Sequence, residues 1–342
     1  MAGRRVLLFG ASGFLGSQVG AALDRDSRAG TVTRVGRPRA GRPGAGWIGH
    51  DLVAAGTDEL AALIRRVRPD AVINCAGRLS GDIVQLAEAN VLVTARLIEA
   101  VSRQAPAARL VVLGSAAEYG PTPHGLTVGE DRAANPVAAY GVTRLASTQL
   151  VRLAVSEERL DAAVLRVFSP IGPGVPPESL IGRAAASMRT ALRNGKDTVV
   201  LGPLGAYRDF VDVRDVATAI TATALADQVR EPVLNVGGGR PVRCREAVHL
   251  LARIAGFTGR VVETDPPSVR SGSVDWSAAD LSRIERSLGW TPGYDLRASV
   301  EASWHDGEPA PRRPGPARAH AGLTGSATTG SGSFAHGHTA PF

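Results

Sequence analysis

The chain has 342 residues, 44% of them hydrophobic and 21% charged, a balance typical of globular proteins and unlike disordered or fibrous ones. This length predicts two domains, or one domain with a large lobe. Two cysteines, Cys75 and Cys244, are too few for a disulfide framework or a zinc cluster. No apolar run approaches the ~20 residues of a membrane span, and no signal peptide precedes the glycine turn at Gly10. We therefore expect a soluble, cytoplasmic protein without a membrane partner.

The formal net charge of +7 raises nucleic acid as a potential partner, because basic surfaces attract phosphate. The basic residues, however, are almost all arginines scattered among acids, and Lys196 is the one lysine of the sequence. No basic stripe is interleaved with aromatic residues, as nucleic-acid binding would favour. The charge pattern therefore predicts no nucleic-acid partner.

The first half of the chain alternates short apolar runs with amphipathic segments. Such repeated βα units predict an α/β fold with a Rossmann-type, doubly wound parallel sheet. Strands are predicted at residues 6–9, 31–35, 71–74, 110–113 and 162–167. Helices are predicted after the first strand, from an Asp58 cap to residue 67, over 90–101 and over 140–156.

After Phe168 this alternation ends in a proline-rich loop, and shorter mixed elements continue to Trp304. Beyond that point Pro, Gly, Ala, Ser and Thr dominate and apolar periodicity is lost, which predicts a disordered tail. The expected organisation is a dinucleotide-binding domain over 1–167, a smaller C-terminal substrate lobe over 168–304 that completes a cleft, and a tail over 305–342.

A glycine-rich segment with G-x-x-G-x-x-G spacing follows the first predicted strand and begins the first predicted helix. Glycines there permit positive φ and let the backbone approach a pyrophosphate at the helix N-terminus. A plain tight turn is the alternative, but the βαβ context favours a dinucleotide-binding loop. The residues expected to contact the cofactor are Gly10, Ser12, Gly13, Phe14, Leu15 and Gly16.

The end of the second predicted strand indicates which dinucleotide binds. An NAD site normally has an acid there, ~20 residues after the glycine loop, to bind the ribose hydroxyls. This chain has no acid between Asp26 and Asp51 and has Gly36-Arg37 at that place. Gly36 leaves room where the acid would stand, and Arg37 can pair with a 2′-phosphate, although a solvated loop arginine is the alternative. The pattern favours NADP(H) over NAD(H).

Ser115 follows a predicted buried strand, and Tyr140 and Arg144 share one face of the helix that begins 25 residues later. Together with the glycine loop, these residues make the chain resemble the NAD(P)-dependent epimerase/dehydratase family of extended short-chain dehydrogenases/reductases. The resemblance extends over about residues 5–304. Other segments that resemble motifs of the family, in order, are residues 72–77, 114–120, 135–141, 166–174, 208–215, 235–239 and 288–292.

The resemblance implies an enzyme acting on a nucleotide sugar, with Ser115, Tyr140 and Arg144 as catalytic residues. Asp51 and Leu52 match the segment that contacts adenine in the family. Further implied cofactor contacts are Ala76, Gly77, Tyr140 and Arg144. Arg208 and Arg270 match positions that bind the substrate diphosphate. The other candidate substrate contacts are Ser115, Glu118, Tyr119 (equally expected in the core), Ser169 and Arg183. A homodimer is also expected.

Two positions depart from the family pattern. Arg144 stands where the family has lysine. A cation ~4 Å from a tyrosinate, at an effective dielectric of ~20, stabilises it by roughly 4 kcal/mol, and arginine supplies that charge as lysine does. The planar guanidinium of arginine need not reproduce the hydrogen bonds that a lysine ammonium makes to the nicotinamide ribose. Either Arg144 replaces the lysine in catalysis, or catalysis has been lost. Ser169 stands where the family has an asparagine that contacts the substrate, and its shorter side chain leaves the substrate open.

The residues after Ser115 bear on the reaction. Dehydratases of the family have acids directly after the catalytic Ser or Thr, where this chain has Ala116 and Ala117, and Glu118 is displaced by one position. Reduction needs only one proton donor. The pattern therefore favours an NADPH-dependent 4-ketoreductase for a nucleotide-linked 4-keto-6-deoxyhexose, similar to GDP-4-keto-6-deoxymannose reductases. A 4-epimerase with bound NAD and a non-catalytic NADP sensor are the alternatives.

Overall fold

A computed structural model describes residues 3–36, 46–264 and 274–305. Twelve strands and ten α-helices lie within these ranges. The strands are β1 (Arg4–Phe9), β2 (Ala29–Gly36), β3 (Trp47–Gly49), β4 (Ala71–Asn74), β5 (Arg109–Ser115), β6 (Ala162–Val167), β7 (Ser169–Ile171), β8 (Thr198–Leu201), β9 (Tyr207–Asp212), β10 (Val233–Val236), β11 (Pro241–Arg243) and β12 (Arg260–Glu263). The helices are α1 (Phe14–Leu23), α2 (Thr57–Val67), α3 (Ile83–Leu86), α4 (Val93–Gln104), α5 (Ala139–Ser156), α6 (Leu180–Arg193), α7 (Val213–Leu225), α8 (Cys244–Ile254), α9 (Ser282–Leu288) and α10 (Leu296–His305).

Seven of these strands form one parallel sheet in the order β10-β6-β5-β4-β1-β2-β3. The predicted doubly wound parallel sheet is thus confirmed. Central strands such as β4 and β6 are buried along their whole length, which explains their nearly continuous apolar runs. The strand order reverses at β1, which lies between β4 and β2. Sheets of this kind bind ligands in the crevice at the carboxyl ends of the strands beside such a reversal.

The two faces of the sheet form two separate cores. On one face, Leu7 and Phe9 of β1 belong to a cluster with Leu60 of α2 and Leu97 of α4. On the other face, the alternate residues of β1 belong to a cluster with helices α1 and α7. Because successive strand side chains point to opposite faces, β1 contributes to both cores. This three-layer packing fixes the ends of the strands relative to the helices that follow them.

The C-terminal lobe is built around smaller sheets. Strands β11, β9 and β7 form one sheet, and β12 and β8 form another. Met188 of α6, Leu251 of α8 and Val300 of α10 belong to the core that holds this lobe together. The lobe expected from the end of the strand–helix alternation after Phe168 therefore has its own hydrophobic core.

The expected division at residue 167 does not hold, however. Strand β10 lies at the edge of the main sheet beside β6, and helix α7 packs against α1 on one face of that sheet. Both elements follow residue 167, so the chain enters the lobe, returns to the main sheet and enters the lobe again. The sequence did not show this return because a four-residue strand resembles the other short elements of the region.

Several element boundaries also differ from the prediction, most of them by one to three residues. Helix α2 begins at Thr57 with Gly56 as its N-cap, so Asp58 lies in the first turn. Its negative charge there stabilises the helix by interacting with the positive end of the helix dipole. The helix predicted over 90–101 is a π-helical turn, Ala87–Leu92, followed by α4. Helix α10 includes His305, and residues 306–342 of the predicted tail lie outside the described residues. Within the described ranges, the helices are too short or too polar to cross a membrane.

Candidate active site

The glycine-rich segment forms the predicted strand–turn–helix connection. Gly10, directly after β1, has a φ of +70°, a conformation that L side chains rarely adopt. A Cβ at position 10 would lie 2.6 Å from the backbone nitrogen of Ala76, and a Cβ on Gly16 would overlap the Gly10 carbonyl oxygen. Glycine is therefore required at both positions, and the loops after β1 and β4 are in direct backbone contact.

The N-terminus of α1 fits a phosphate-bearing ligand. The N-cap is Gly13, which has no side chain to cap the first N–H groups, and the first turn holds no acidic residue. The free N–H groups and the dipole of this end attract anions. A Cβ on Gly36 at the end of β2 would lie 3.1 Å from Ser12 Oγ, so this glycine lets the end of β2 pack closely against the glycine loop. A dinucleotide pyrophosphate would be held at this end of α1, next to Ser12, Phe14 and Leu15.

The residues expected at the adenosine end lie next to this loop. The backbone of His50 donates to the carbonyl of Gly36, 3.1 Å away, which places Asp51 and Leu52 beside the end of β2. Leu52 is buried, while the exposed Asp51 carboxylate accepts a bond from the backbone N–H of Val53. Arg37, the candidate for the 2′-phosphate, lies outside the described residues.

Asn90 holds the loop after β4 in place. Its side chain accepts from the backbone N–H of Arg78 and donates to the carbonyl of the same residue, at 2.9 and 3.1 Å. It also donates to Thr143 Oγ1 of α5, and Ser147 of α5 donates to its backbone carbonyl. Asn90 is 1% exposed. This residue of the π-helical turn thus joins the loop containing Ala76 and Gly77 to the helix that carries the candidate catalytic pair.

Ser115 is the last residue of β5 and caps the 3₁₀ turn Ala116–Glu118 that follows. Its Oγ accepts a bond from the backbone N–H of Ala117 at 3.2 Å. Because a serine hydroxyl has one proton and two acceptor sites, this bond leaves the Ser115 O–H free to donate. The residue can therefore present a hydrogen-bond donor at the carboxyl end of the sheet.

Two contacts of α5 bring the other candidate catalytic residues to Ser115. A Cβ on Gly141 would lie 2.5 Å from the Ala117 carbonyl oxygen, so the first helical turn rests on the turn after Ser115. One turn later, Arg144 Nη1 donates to the carbonyl of Leu113 at 3.0 Å. These contacts lie two residues after and two residues before Ser115. The structure therefore places the first turns of α5, which carry Tyr140 and Arg144, against the end of β5 that carries Ser115.

Arg144 lies against the tyrosine. Its side-chain guanidinium carbon is 5.4 Å from the centre of the Tyr140 ring, and the residue is 7% exposed. Its Nη2 packs against the Cα of Gly77, where any side chain would overlap it. The buried Nε has no hydrogen-bond partner among the residues described. Arg144 thus holds a positive charge beside Tyr140.

Glu118 and Tyr119 do not contact the cleft, which corrects the expectation that they orient the sugar. Glu118 is fully buried and accepts bonds from Ser115, Thr148 and Arg166. Tyr119 is 1% exposed, and its hydroxyl donates to Asn235 at 2.7 Å. Burial raises the pKa of Tyr119 to about 12. Of the two interpretations of Tyr119, the core position is confirmed.

Ser169 and Arg208, two candidate substrate contacts, belong to neighbouring strands. Ser169 of β7 pairs with Phe210 of β9, two residues from Arg208, so both side chains project from one face of the small sheet. Arg208 is partly buried, and burial lowers its pKa. Within the described ranges no carboxylate forms an ion pair with it. Arg183 lies on an exposed face of α6, and Arg270 lies outside the described residues.

Asp209 fixes the strand that carries Arg208. Its buried carboxylate accepts backbone N–H bonds from Gly238 at 2.6 Å, Gly239 at 3.2 Å and Ala279 at 2.8 Å. Burial raises the pKa of this group to about 6, against the opposing effect of those backbone bonds. Asp209 thereby joins β9 to the turn after β10 and to the segment around Ala279.

Arg166 and Thr148, the partners of Glu118, were not among the residues predicted for the site. A signal was present, because Arg166 is a charged residue in the otherwise apolar strand β6. A charge inside a buried strand requires a partner of opposite sign. Which acid provides it depends on the neighbouring strand and turn, and these meet only in the folded chain.

Residues 6–237 match the model of the NAD dependent epimerase/dehydratase family, and the chain belongs to that family. It is thus a member of a family of NAD(P)-dependent enzymes that modify nucleotide sugars.

Particular relatives agree with this assignment. The chain is 38% identical over 310 residues to dTDP-6-deoxy-L-talose 4-dehydrogenase (NAD(P)(+)) of Kitasatospora kifunensis, covering 90% of this chain and 96% of that protein. It is 28% identical to GDP-6-deoxy-D-mannose reductase of Pseudomonas aeruginosa, covering 70% and 81%. The structure of RMD from Pseudomonas aeruginosa complexed with NADPH superposes with a TM-score of 0.75 at 26% identity, covering 89% and 98%.

The contact between Gly77 and Arg144 generates the first test. In Gly77→Ala, the new methyl group would overlap Arg144 Nη2 and approach Asn90 Oδ1, so the free energy of unfolding should fall by about 1–3 kcal/mol. In an Arg144→Met background the guanidinium is absent, and the cost should be smaller by about 1 kcal/mol or more. Urea denaturation of the four proteins measures both costs. Equal costs in the two backgrounds would show that Arg144 does not occupy this position.

Proposed function

We propose that the protein is an NADPH-dependent ketoreductase that reduces the C4 carbonyl of a nucleotide-linked 4-keto-6-deoxyhexose, with dTDP as the nucleotide. The main support is the composition of the site: Arg144 lies beside Tyr140 and bonds to the end of the strand that carries Ser115, while the nearby acid Glu118 is buried. The site offers a proton donor and a cation but no carboxylate from the segment after Ser115. Such a set of groups suits carbonyl reduction.

The relatives support the same reaction. The dehydrogenase of Kitasatospora kifunensis is named for oxidation at C4 of dTDP-6-deoxy-L-talose, and reduction of a dTDP-linked 4-keto sugar is the reverse of such a step. The mannose reductase of Pseudomonas aeruginosa is named for a 6-deoxysugar bound to GDP. The dTDP nucleotide is proposed because the first of these relatives is the more similar over the longer part of its own length.

In the proposed mechanism, Ser115 donates its free O–H to the C4 carbonyl oxygen and fixes the orientation of the ketone. When bound, NADPH supplies the hydride for C4. Tyr140 gives its phenolic proton to the oxygen on which negative charge develops. Arg144, held at the Leu113 carbonyl, then stabilises the tyrosinate by its charge. Arg208 offers a partly buried positive charge for the substrate diphosphate, beside the Ser169 hydroxyl.

A dehydratase would need a carboxylate to remove the C5 proton. Glu118 is 0% exposed and all its bonds are to protein groups, so it does not supply that base. A 4-epimerase would use the same Ser115 and Tyr140 but would need the nucleotide cofactor to remain bound through both half-reactions. The homodimer and the cytoplasmic location remain predictions.

The direct test measures NADPH oxidation with GDP-, dTDP- and UDP-linked 4-keto-6-deoxyhexoses. We expect stoichiometric consumption of NADPH and the largest kcat/KM with a dTDP-linked sugar. An epimerase would interconvert C4 epimers of a nucleotide sugar without net consumption of NADPH. A protein that binds NADPH but oxidises none with any member of the panel would contradict the proposal.

A second test concerns the choice of cofactor. NADPH should bind about tenfold or more tightly than NADH, which corresponds to about 1.4 kcal/mol, because Arg37 can pair with the 2′-phosphate. In Arg37→Ala this preference should disappear while NADH affinity stays the same. Fluorescence titration with both cofactors measures the ratio. Equal affinities in the unaltered protein would refute the NADP(H) assignment.

A third test separates the roles of Tyr140 and Arg144. Tyr140→Phe should lower kcat by on the order of 10²–10⁴ with little change in NADPH affinity, because only the proton donor is lost. Arg144→Lys keeps the cation and should retain turnover. Arg144→Met should lower kcat, since it removes the positive charge that stabilises the tyrosinate as the proton is transferred. Full ketosugar reduction by Tyr140→Phe would overturn this mechanism.

A further inference from the structure

A buried ion pair lies directly behind Ser115. Arg166 of β6 and Glu118 of the 3₁₀ turn are 3% and 0% exposed, and Arg166 Nε lies 2.8 Å from Glu118 Oε2. The same oxygen accepts the hydroxyl proton of Thr148 on α5 at 2.8 Å. The guanidinium carbon of Arg166 also lies 4.6 Å from the centre of the Tyr119 ring. Burying such a pair in place of apolar side chains seldom adds stability, so its presence indicates another role.

The second carboxylate oxygen shows what that role is. Glu118 Oε1 accepts the backbone N–H of Ser115 at 2.8 Å, while Ser115 Oγ accepts the backbone N–H of Ala117. Together these bonds form a capping box, in which the Ser115 side chain bonds to the backbone of the turn and the Glu118 side chain bonds back to the backbone of Ser115. The main chain of Ser115 is thereby fixed at the point where β5 ends, and its hydroxyl is left with one free proton.

We propose that Glu118 is a positioning residue for Ser115, held in place by Arg166 and Thr148, and that it never touches the substrate. This inference rests on the proposed function, because it gives Ser115 a substrate oxygen to bind. A donor aimed at a developing oxyanion must lie within about 2.7–3.1 Å of it, and an error of 1 Å can cost on the order of 10²-fold in rate. Glu118 ties the position of Ser115 to β6 and α5 rather than to a free loop.

The Gly114 position supports this arrangement. A Cβ there would lie 2.5 Å from Glu118 Oε1 and 2.9 Å from a methyl group of Val164, so glycine is what lets the carboxylate reach the Ser115 N–H. Of the other charged groups near the pair, Glu130 offers Arg166 its backbone carbonyl at 3.3 Å rather than its carboxylate. Glu118 is therefore the acid that balances Arg166 among the described residues.

The kinetic test is a double-mutant cycle. Glu118→Gln should lower kcat with the ketosugar on the order of 10–100-fold, while the ketosugar KM and the NADPH Kd change by no more than about twofold. In a Ser115→Ala background the same substitution should change kcat by less than about twofold, because there is no hydroxyl left to position. An equal loss of kcat in both backgrounds would overturn the proposal.

A second measurement does not depend on turnover. Hydrogen exchange at the Ser115 amide should become faster in Glu118→Gln, and to a smaller extent in Thr148→Val, which removes one bond from the carboxylate. Thr223→Val is the matched control, because Thr223 is equally buried and its hydroxyl, the group that the substitution removes, donates only to the Ala219 carbonyl within α7. It should leave exchange at Ser115 and kcat unchanged. Unaltered exchange at Ser115 in both Glu118→Gln and Thr148→Val would overturn the proposal.

The two measurements separate this inference from the proposed function. If the unaltered protein reduces none of the ketosugars, the proposed function fails, and the exchange data alone then support or overturn the role of Glu118. If Glu118→Gln does not fold, Thr148→Val still tests the role, because it preserves the ion pair. A thermal unfolding scan of each variant identifies that case.

Discussion

The candidate active site depends on the contact between the first turns of α5 and the end of β5. Arg144 donates to the Leu113 carbonyl, and the backbone at Gly141 lies directly on the carbonyl of Ala117. A helix that follows a loop could lie over a sheet in many positions, but these contacts on either side of Ser115 fix the position of α5 relative to β5. The relative positions of serine, tyrosine and cation follow from them, and so does the place of the loop that Asn90 holds against α5.

Buried carboxylates hold other parts of the site in place, and Glu118 and Asp209 each lie behind a candidate site residue rather than in the cleft. Glu118 binds the main chain at Ser115, and Asp209 fixes the strand that carries Arg208. A buried carboxylate is costly unless it is fully bonded, and each of these accepts several bonds from separate elements. Such groups therefore join elements whose apolar surfaces alone would permit small shifts.

Much of the fold and part of the site could be predicted from the sequence. The strands at 71–74 and 162–167 were predicted with the bounds that the structure has, since strands buried on both faces read as continuous apolar runs. The return of β10 to the main sheet could not be predicted, because sheet order depends on pairing between distant segments. Glu118 was expected among the substrate contacts, but a 3₁₀ turn directs its side chain into the core.

The sequence by itself determined the glycine loop and the strand–helix alternation, and it identified Ser115, Tyr140 and Arg144 as the candidate catalytic residues. These are local patterns, in which residue type and spacing fix the backbone and the helix face. Only the tertiary structure decided which acid meets Arg166, what lies beside Arg144 and which residues remain accessible in the cleft. Those outcomes depend on contacts between residues far apart in the chain, such as Gly77 with Arg144, and a buried charge takes its partner from whatever packing brings within hydrogen-bonding distance.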